Sequence, residues 1–165
     1  MIELRALEPE DLEFLYTIEN NPEMWSLGTP EAPFSKYTLR RYLEEQPGDI
    51  LATHTLRLVI VRDRKAVGLI DLYNHDTISR SAEVGIALLD GERGKGYASE
   101  ALKLMEKHAV AILNIRMLYA KIPAKRNERS MKMFLGNGYK HTCTLPEWHY
   151  FDGSYEDLYL LQKIF

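Results

Sequence analysis

The sequence carries a single cysteine, Cys143, in 165 residues. That excludes an intramolecular disulfide and a cysteine-built zinc site, and it fits a reducing compartment. The five histidines, His54, His75, His108, His141 and His149, lack the spacing of a metal site, and no metal is implied. There is no low-complexity tract and no internal repeat, which rules out solenoids and propellers. Long apolar runs are also missing. Residues 1–20 hold Glu3, Arg5, Glu8, Glu10, Asp11 and Glu13, so they read as neither a secretion signal nor a membrane span. The expectation is a cytoplasmic protein with neither a membrane nor a nucleic-acid partner.

Apolar residues make up 45% of the chain, enough for a sizeable core, and the length suits one domain over 1–165. The net charge of −3 hides an asymmetry. Residues 1–50 hold eleven acids against four bases, and the remainder is basic. An acidic front half attracts cations such as amines, whereas a basic back half suits a polyanion; two ordinary solvated faces would look the same.

Periodicity gives the elements. Ile2–Ala6 reads as a strand. Pro9 suits the first turn of a helix carrying Leu12, Leu15 and Tyr16, which stops near Asn20-Asn21-Pro22. Ser35 caps a second helix with Leu39, Tyr42 and Leu43 inward, ended by Pro47-Gly48. Leu56–Val61, Val67–Tyr73 and Ala82–Leu89 are strands. Ala98, Ala101, Leu102, Met105, Ala109 and Ile112 recur at helical spacing up to Asn114. A strand at Met117–Ile122, a short helix at Asn127–Asn137, and strands at Tyr139–Leu145 and Tyr155–Lys163 complete the chain. The order β-α-α-β-β-β-α-β-α-β-β implies an α/β fold, a mixed sheet with helices on both faces.

Between a strand and the longest helix lies Arg93-Gly94-Lys95-Gly96-Tyr97-Ala98. Gly94 and Gly96 let backbone approach a ligand, and the helix that follows turns its unpaired N–H groups and positive dipole end to the loop. Arg93 and Lys95 add charge, so the loop suits a phosphate or pyrophosphate. A dinucleotide fingerprint wants glycine or alanine where Ser99 stands and an acid at the end of Met117–Ile122; both are absent. The Gly-Lys-Ser/Thr of a nucleotide-triphosphate loop is absent too. An acyl-CoA pyrophosphate loop and a plain strand-to-helix turn remain.

Arg93-x-x-Gly96-x-Ala98 resembles the central cofactor motif of the GNAT superfamily of N-acetyltransferases. Ala82–Leu88 resembles the strand before that motif, and Ser99-Glu100-Ala101-Leu102 the helix after it. Asn127-Glu128-Arg129-Ser130, followed by Asn137-Gly138-Tyr139, resembles the second cofactor motif. Asp152–Asp157 is similar to the terminal hairpin of the branch holding polyamine and ribosomal-protein N-terminal acetyltransferases. The resemblance spans the chain. It implies a mostly antiparallel central sheet, acetyl-CoA as co-substrate, an amine acceptor (polyamine or protein amine), direct attack in a ternary complex, and a possible homo-oligomer.

The same resemblance implies site residues. The pantetheine arm would pair with the backbone of Ile86, Ala87 and Leu88. The pyrophosphate would sit on residues 93–98 (Arg93, Gly94, Lys95, Gly96, Tyr97, Ala98), with Ser99 close by. Asn127, equally a helix N-cap, would bond the pantetheine or thioester end, and Phe134 would pack on the arm. Many relatives place a tyrosine acid where Phe134 stands; Ser130 is then the candidate acid, or a serine that only caps its helix. Glu83 and His149 compete as general base. Glu19, Glu23, Trp25, Tyr37, Glu147 and Trp148 fall on the implied acceptor wall, where acids beside aromatics suit a cationic amine. Cys143 reads as a buried strand residue rather than a nucleophile. The alternative function is a non-catalytic acyl-CoA-binding module or sensor.

Overall fold

The computed structural model describes residues 1–25, 32–45 and 49–165, without the side chains of Met24 and Trp25. In chain order the elements are β1 (Ile2–Arg5), a 3-10 turn at Pro9–Asp11, α1 (Leu12–Glu19), α2 (Pro22–Trp25), α3 (Lys36–Glu45) and α4 (Ile50–Thr53). They continue with β2 (Leu56–Arg62), β3 (Lys65–Asp76), β4 (Ser81–Leu88), a 3-10 turn at Asp90–Glu92 and α5 (Tyr97–Ala111). The last are β5 (Met117–Pro123), α6 (Glu128–Gly136), β6 (Lys140–Phe151) and β7 (Ser154–Ile164).

Local chemistry accounts for the ends. Ser35 Oγ accepts from the Thr38 N–H at 3.0 Å, capping α3 as expected. The Pro47-Gly48 stop lies outside the described residues. Asp49, which accepts from Leu51 N–H, caps α4, a four-residue helix that periodicity did not signal. Asn114 takes a left-handed φ of 56°, although α5 ends three residues earlier, at Ala111. Asp63 and Arg64, both at positive φ, turn β2 into β3, and Asp152-Gly153 does the same between β6 and β7.

The seven strands form one sheet in the order β1-β2-β3-β4-β5-β7-β6. All neighbours are antiparallel except β4 and β5, which are parallel, as the α5 crossover between them requires. Side chains on β2 alternate between two cores. Ile60 points to the larger one, with Leu102, Met105 and Phe134; Val59 and Val61 point to the other, with Leu15, Ile18 and Leu39. So α5 and α6 cover one face and α1 and α3 the opposite face, the mixed sheet with helices on both faces read from the sequence. One expectation is corrected: Cys143 is exposed on β6, because that strand runs along the sheet edge and presents most of its length to solvent.

Candidate active site

The parallel ladder of β4 and β5 has three rungs: Ser81 opposite Met117, Ala82 opposite Leu118, and Glu83 opposite Tyr119. Beyond Glu83, β4 pairs only with β3, through Gly68 opposite Leu88, and β5 only with β7, through Pro123 opposite Leu158. The two strands part, leaving backbone from Val84 to Leu88 with one edge open. A groove of about 1050 Å³ enters this gap.

At one end of the groove is the loop before α5. Gly94 and Gly96 have φ of +77° and +84°, and the position of a Cβ on either is open space. Gly96 is the N-cap of α5 and brings no side chain to the helix end, so the terminus faces the groove uncovered. The charges beside it are already engaged. Arg93 bonds Leu88 O at 3.2 Å, Glu23 Oε2 at 2.8 Å and Asp90 Oδ1 at 2.9 Å, and Lys95 bonds Glu92 at 2.9 Å. Positive potential toward the groove comes from the uncovered helix end and from Arg129 and Lys132 of α6, which also line it, Lys132 bridging to Glu128 at 2.7 Å. Ser99 lines the groove and accepts from Asn137 Nδ2 at 3.0 Å. A phosphate-bearing acyl-CoA fits this set: a loop whose two glycines leave open space beside an uncovered helix N-terminus, and a strand edge open for an extended arm.

Asn127 and Ser130 line the middle of the groove. Asn127 Oδ1 accepts from the Ser130 N–H at 3.3 Å, so Asn127 does cap α6 while bordering the groove. Phe134 also lines it, is buried, and packs edge-on to Tyr139 with centroids 4.9 Å apart.

The remaining end lies on the α1–α3 face. Glu83 borders it, its carboxylate held by Lys121 Nζ at 3.0 Å and Asn74 Nδ2 at 3.1 Å. Sequence reasoning named Glu19 but missed Arg57, Asp71 and Tyr73, which cluster with it next to Glu83. Arg57 grips Asp71 through Nε at 2.7 Å and Nη2 at 3.0 Å, and reaches Glu19 Oε1 at 2.5 Å. Tyr73 donates its hydroxyl to Asp71 Oδ2. Burial works against the Arg57 charge, but Asp71 and Glu19 outweigh it and raise the guanidinium further above its ordinary value. Burial, then the Asp71 carboxylate, pushes the Tyr73 phenol well up, so it stays protonated. The Tyr42 ring faces Arg57 at 5.7 Å.

The groove thus brings together Glu19, Glu83, Ile86, Ala87, Leu88, Arg93, Gly94, Gly96, Tyr97, Ala98, Ser99, Asn127, Ser130 and Phe134 of the residues singled out in the sequence. Others lie elsewhere. Tyr37 projects from α3 with 69% exposure, and Trp148 from β6 with 64%. His149 stands on β6 opposite Glu156 and is not among the described groove-lining residues. Glu147 borders a separate cavity of about 330 Å³ with Lys125 and Asp157. The Trp25 side chain lies outside the described residues. No metal-binding group of His, Cys, Asp or Glu occurs among the described residues.

Comparison with known proteins agrees with this geometry. Residues 2–140 match the family model described as an acetyltransferase (GNAT) domain. The spermidine N(1)-acetyltransferase of Vibrio cholerae serotype O1 is 28% identical, over 97% of this chain and 92% of that one. The ribosomal-protein-serine acetyltransferase of Escherichia coli K12 is 22% identical, over 99% and 92%. The crystal structure of Vibrio cholerae spermidine N-acetyltransferase in complex with CoA and spermine superimposes with a TM-score of 0.88 at 25% identity, covering 99% of this chain and 95% of that one. The chain belongs to the GNAT acetyltransferase family and is an N-acetyltransferase that takes acetyl-CoA as co-substrate.

Proposed function

We propose that this enzyme acetylates a primary amine of a small polycation of the polyamine class. The observation carrying this is the α1–α3 end of the groove, where Glu19, Asp71 and Glu83 meet the rings of Tyr42 and Tyr73. Three carboxylates against Arg57 and Lys121 leave net negative charge for an ammonium group, and ring faces suit a cation. The spermidine acetyltransferase relatives support the same class.

In this reading the extended arm of acetyl-CoA pairs with Ile86, Ala87 and Leu88 on the open edge of β4. Its pyrophosphate rests on residues 93–98 with Ser99, while Asn127 and Phe134 border the arm. Acetyl-CoA supplies the acetyl group activated as a thioester. Glu83 takes the proton of the amine, directly or through water. Ser130 donates a proton toward the departing sulfur, in place of the hydroxyl that Phe134 lacks. Attack is direct, in a ternary complex. The exposed thiol of Cys143 suits a cytoplasmic setting, and the single sheet from Ile2 to Ile164 supports one domain over 1–165. The exposed edge strand β6, with Trp148 and Tyr150, supports self-association.

Thiol release from acetyl-CoA, measured with polyamines, N-terminal peptides and aminoglycosides, tests the acceptor class. Polyamines should give the highest kcat/KM. A clear preference for peptides would move the assignment to protein amines, as in the ribosomal-protein acetyltransferase relative.

A further inference from the structure

We propose that the Tyr73 hydroxyl holds the attacking amine over Gly85 by accepting one of its N–H bonds, with Asp71 and Arg57 fixing the direction of the phenol's own proton. This rests on reading the groove as the seat of amine acetylation and names the residue that meets the amine.

Register decides which face Tyr73 occupies. Leu69 pairs with Ala87, Asp71 with Gly85, and Tyr73 with Glu83. Leu69 packs with Leu15, Ile18 and Leu39, so this alternation turns Asp71, Tyr73, Glu83 and Gly85 toward the α1–α3 side. Leu72 and Val84 turn to the opposite core. Tyr73 therefore stands where the acceptor enters.

Gly85 sets its height. A Cβ at residue 85 would lie 2.9 Å from Tyr73 Cε2 and 3.4 Å from the hydroxyl, so the phenol lies across the space that glycine leaves. Gly85 is two residues past Glu83, the last β4 residue paired with β5. An arm that starts at the loop 93–98 and follows Leu88, Ala87 and Ile86 brings its reacting end to that apex.

The phenol has one proton, and it goes to Asp71 Oδ2. Two hydrogen bonds from Arg57 fix the Asp71 side chain in place. Toward the groove the oxygen then offers only lone pairs, which suit an N–H donor and repel a carboxylate or carbonyl. The other tyrosines bordering the groove are placed differently. The Tyr97 ring lies beneath Arg62, 4.9 Å from the guanidinium, and the Tyr42 ring faces Arg57. Phe134 has no hydroxyl to give.

The test is Tyr73→Phe, assayed with whichever primary amine the wild type acetylates fastest, alongside calorimetric titration of acetyl-CoA. Expected is a loss in kcat/KM of about 10- to 100-fold, mainly in kcat, with acetyl-CoA affinity within about twofold. Gly85→Ala should push the ring aside and show a similar loss. Made in the Tyr73→Phe background, it should cost less than about threefold more, because both changes remove one contact. An unchanged kcat/KM in folded Tyr73→Phe overturns the proposal. So does an equal loss of acetyl-CoA affinity, or a Gly85→Ala penalty that persists in full without the hydroxyl. A wild type that prefers a non-polyamine amine contradicts only the acceptor class, and the Tyr73 comparison is then made on that amine. A wild type that acetylates no primary amine overturns both readings.

Discussion

Glu83 and Tyr119 form the last rung of the parallel β4–β5 ladder, and the groove opens directly beyond them. A carboxylate at that apex is close to wherever an arm in the gap ends, and Lys121 and Asn74 hold it in place. His149 is on the edge strand β6 and outside the described groove lining. A general base must be deprotonated to act, so the rate rises with pH through its pKa in the free enzyme. His149→Gln should leave that limb of the kcat/KM profile in place, and Glu83→Gln should lower kcat by about 100-fold. A limb that vanishes in His149→Gln would move the base to the hairpin. Acceptors of different amine pKa separate either result from titration of the amine itself.

Arg93 and Lys95 already meet carboxylates, so at the loop itself the helix end at Gly96 is the positive group turned to the groove. Gly96→Asp places a negative side chain there. Acetyl-CoA affinity should fall at least tenfold, about 1.4 kcal/mol, in calorimetric titration. Because Gly96 sits at φ +84°, the variant should also melt a little lower, by about 1 kcal/mol of stability. Unchanged affinity in a folded Gly96→Asp protein would contradict a pyrophosphate seat at this loop.

Ser130 is held through its backbone N–H by Asn127, which leaves its hydroxyl for the groove it lines. Ser130→Ala should therefore slow kcat by about 10- to 100-fold while acetyl-CoA binding changes little. Equal losses in both would make Ser130 a structural residue of the α6 terminus.

Much of this arrangement is legible in the sequence. The apolar, β-branched run Leu56–Val61, the helical spacing from Ala98 and the cap at Ser35 each correspond to local physics that the fold keeps. The Arg57–Asp71 pair was hidden for a specific reason. From the turn at Asp63-Arg64, unbroken pairing with Val61 opposite Ala66 would set Arg57 opposite Ile70. An irregularity between Ile60 and Val61 slides the register by one and sets Arg57 opposite Asp71. The one available signal was an acid inside an otherwise apolar strand, one hairpin away from an arginine. The same limit applies to β6, where irregularities after His141 and Leu145 decide where Glu147 and His149 fall.

Away from the groove, Arg5 bonds both oxygens of Asp11 at 2.6 and 2.7 Å, and Asp11 also accepts from Glu8 N–H at 2.9 Å. The Arg5 hydrogen bonds, against the cost of burial, hold the Asp11 carboxyl below its usual range. A depressed carboxyl stabilises the fold above its unfolded pKa, and that stability is lost as pH falls through the folded value. Arg5 is partly exposed and screened, so Asp11→Asn should cost about 1–2 kcal/mol at neutral pH. Denaturant midpoints of the wild type and Asp11→Asn should converge as pH falls below the ordinary aspartate range and through the lower folded value. A gap that stays constant throughout the acid limb would mean the contribution does not depend on the carboxylate charge.

The seating of both substrates in one groove is open to direct observation in a crystal structure of this enzyme with CoA and a polyamine. The pantetheine should lie between β4 and β5, paired with the backbone of Ile86–Leu88, and one terminal amine should sit over Gly85 between Tyr73 and Glu83. Pantetheine bound outside the β4–β5 gap, or a polyamine held only at the Glu147 cavity with the Gly85 end of the groove left to solvent, would contradict it.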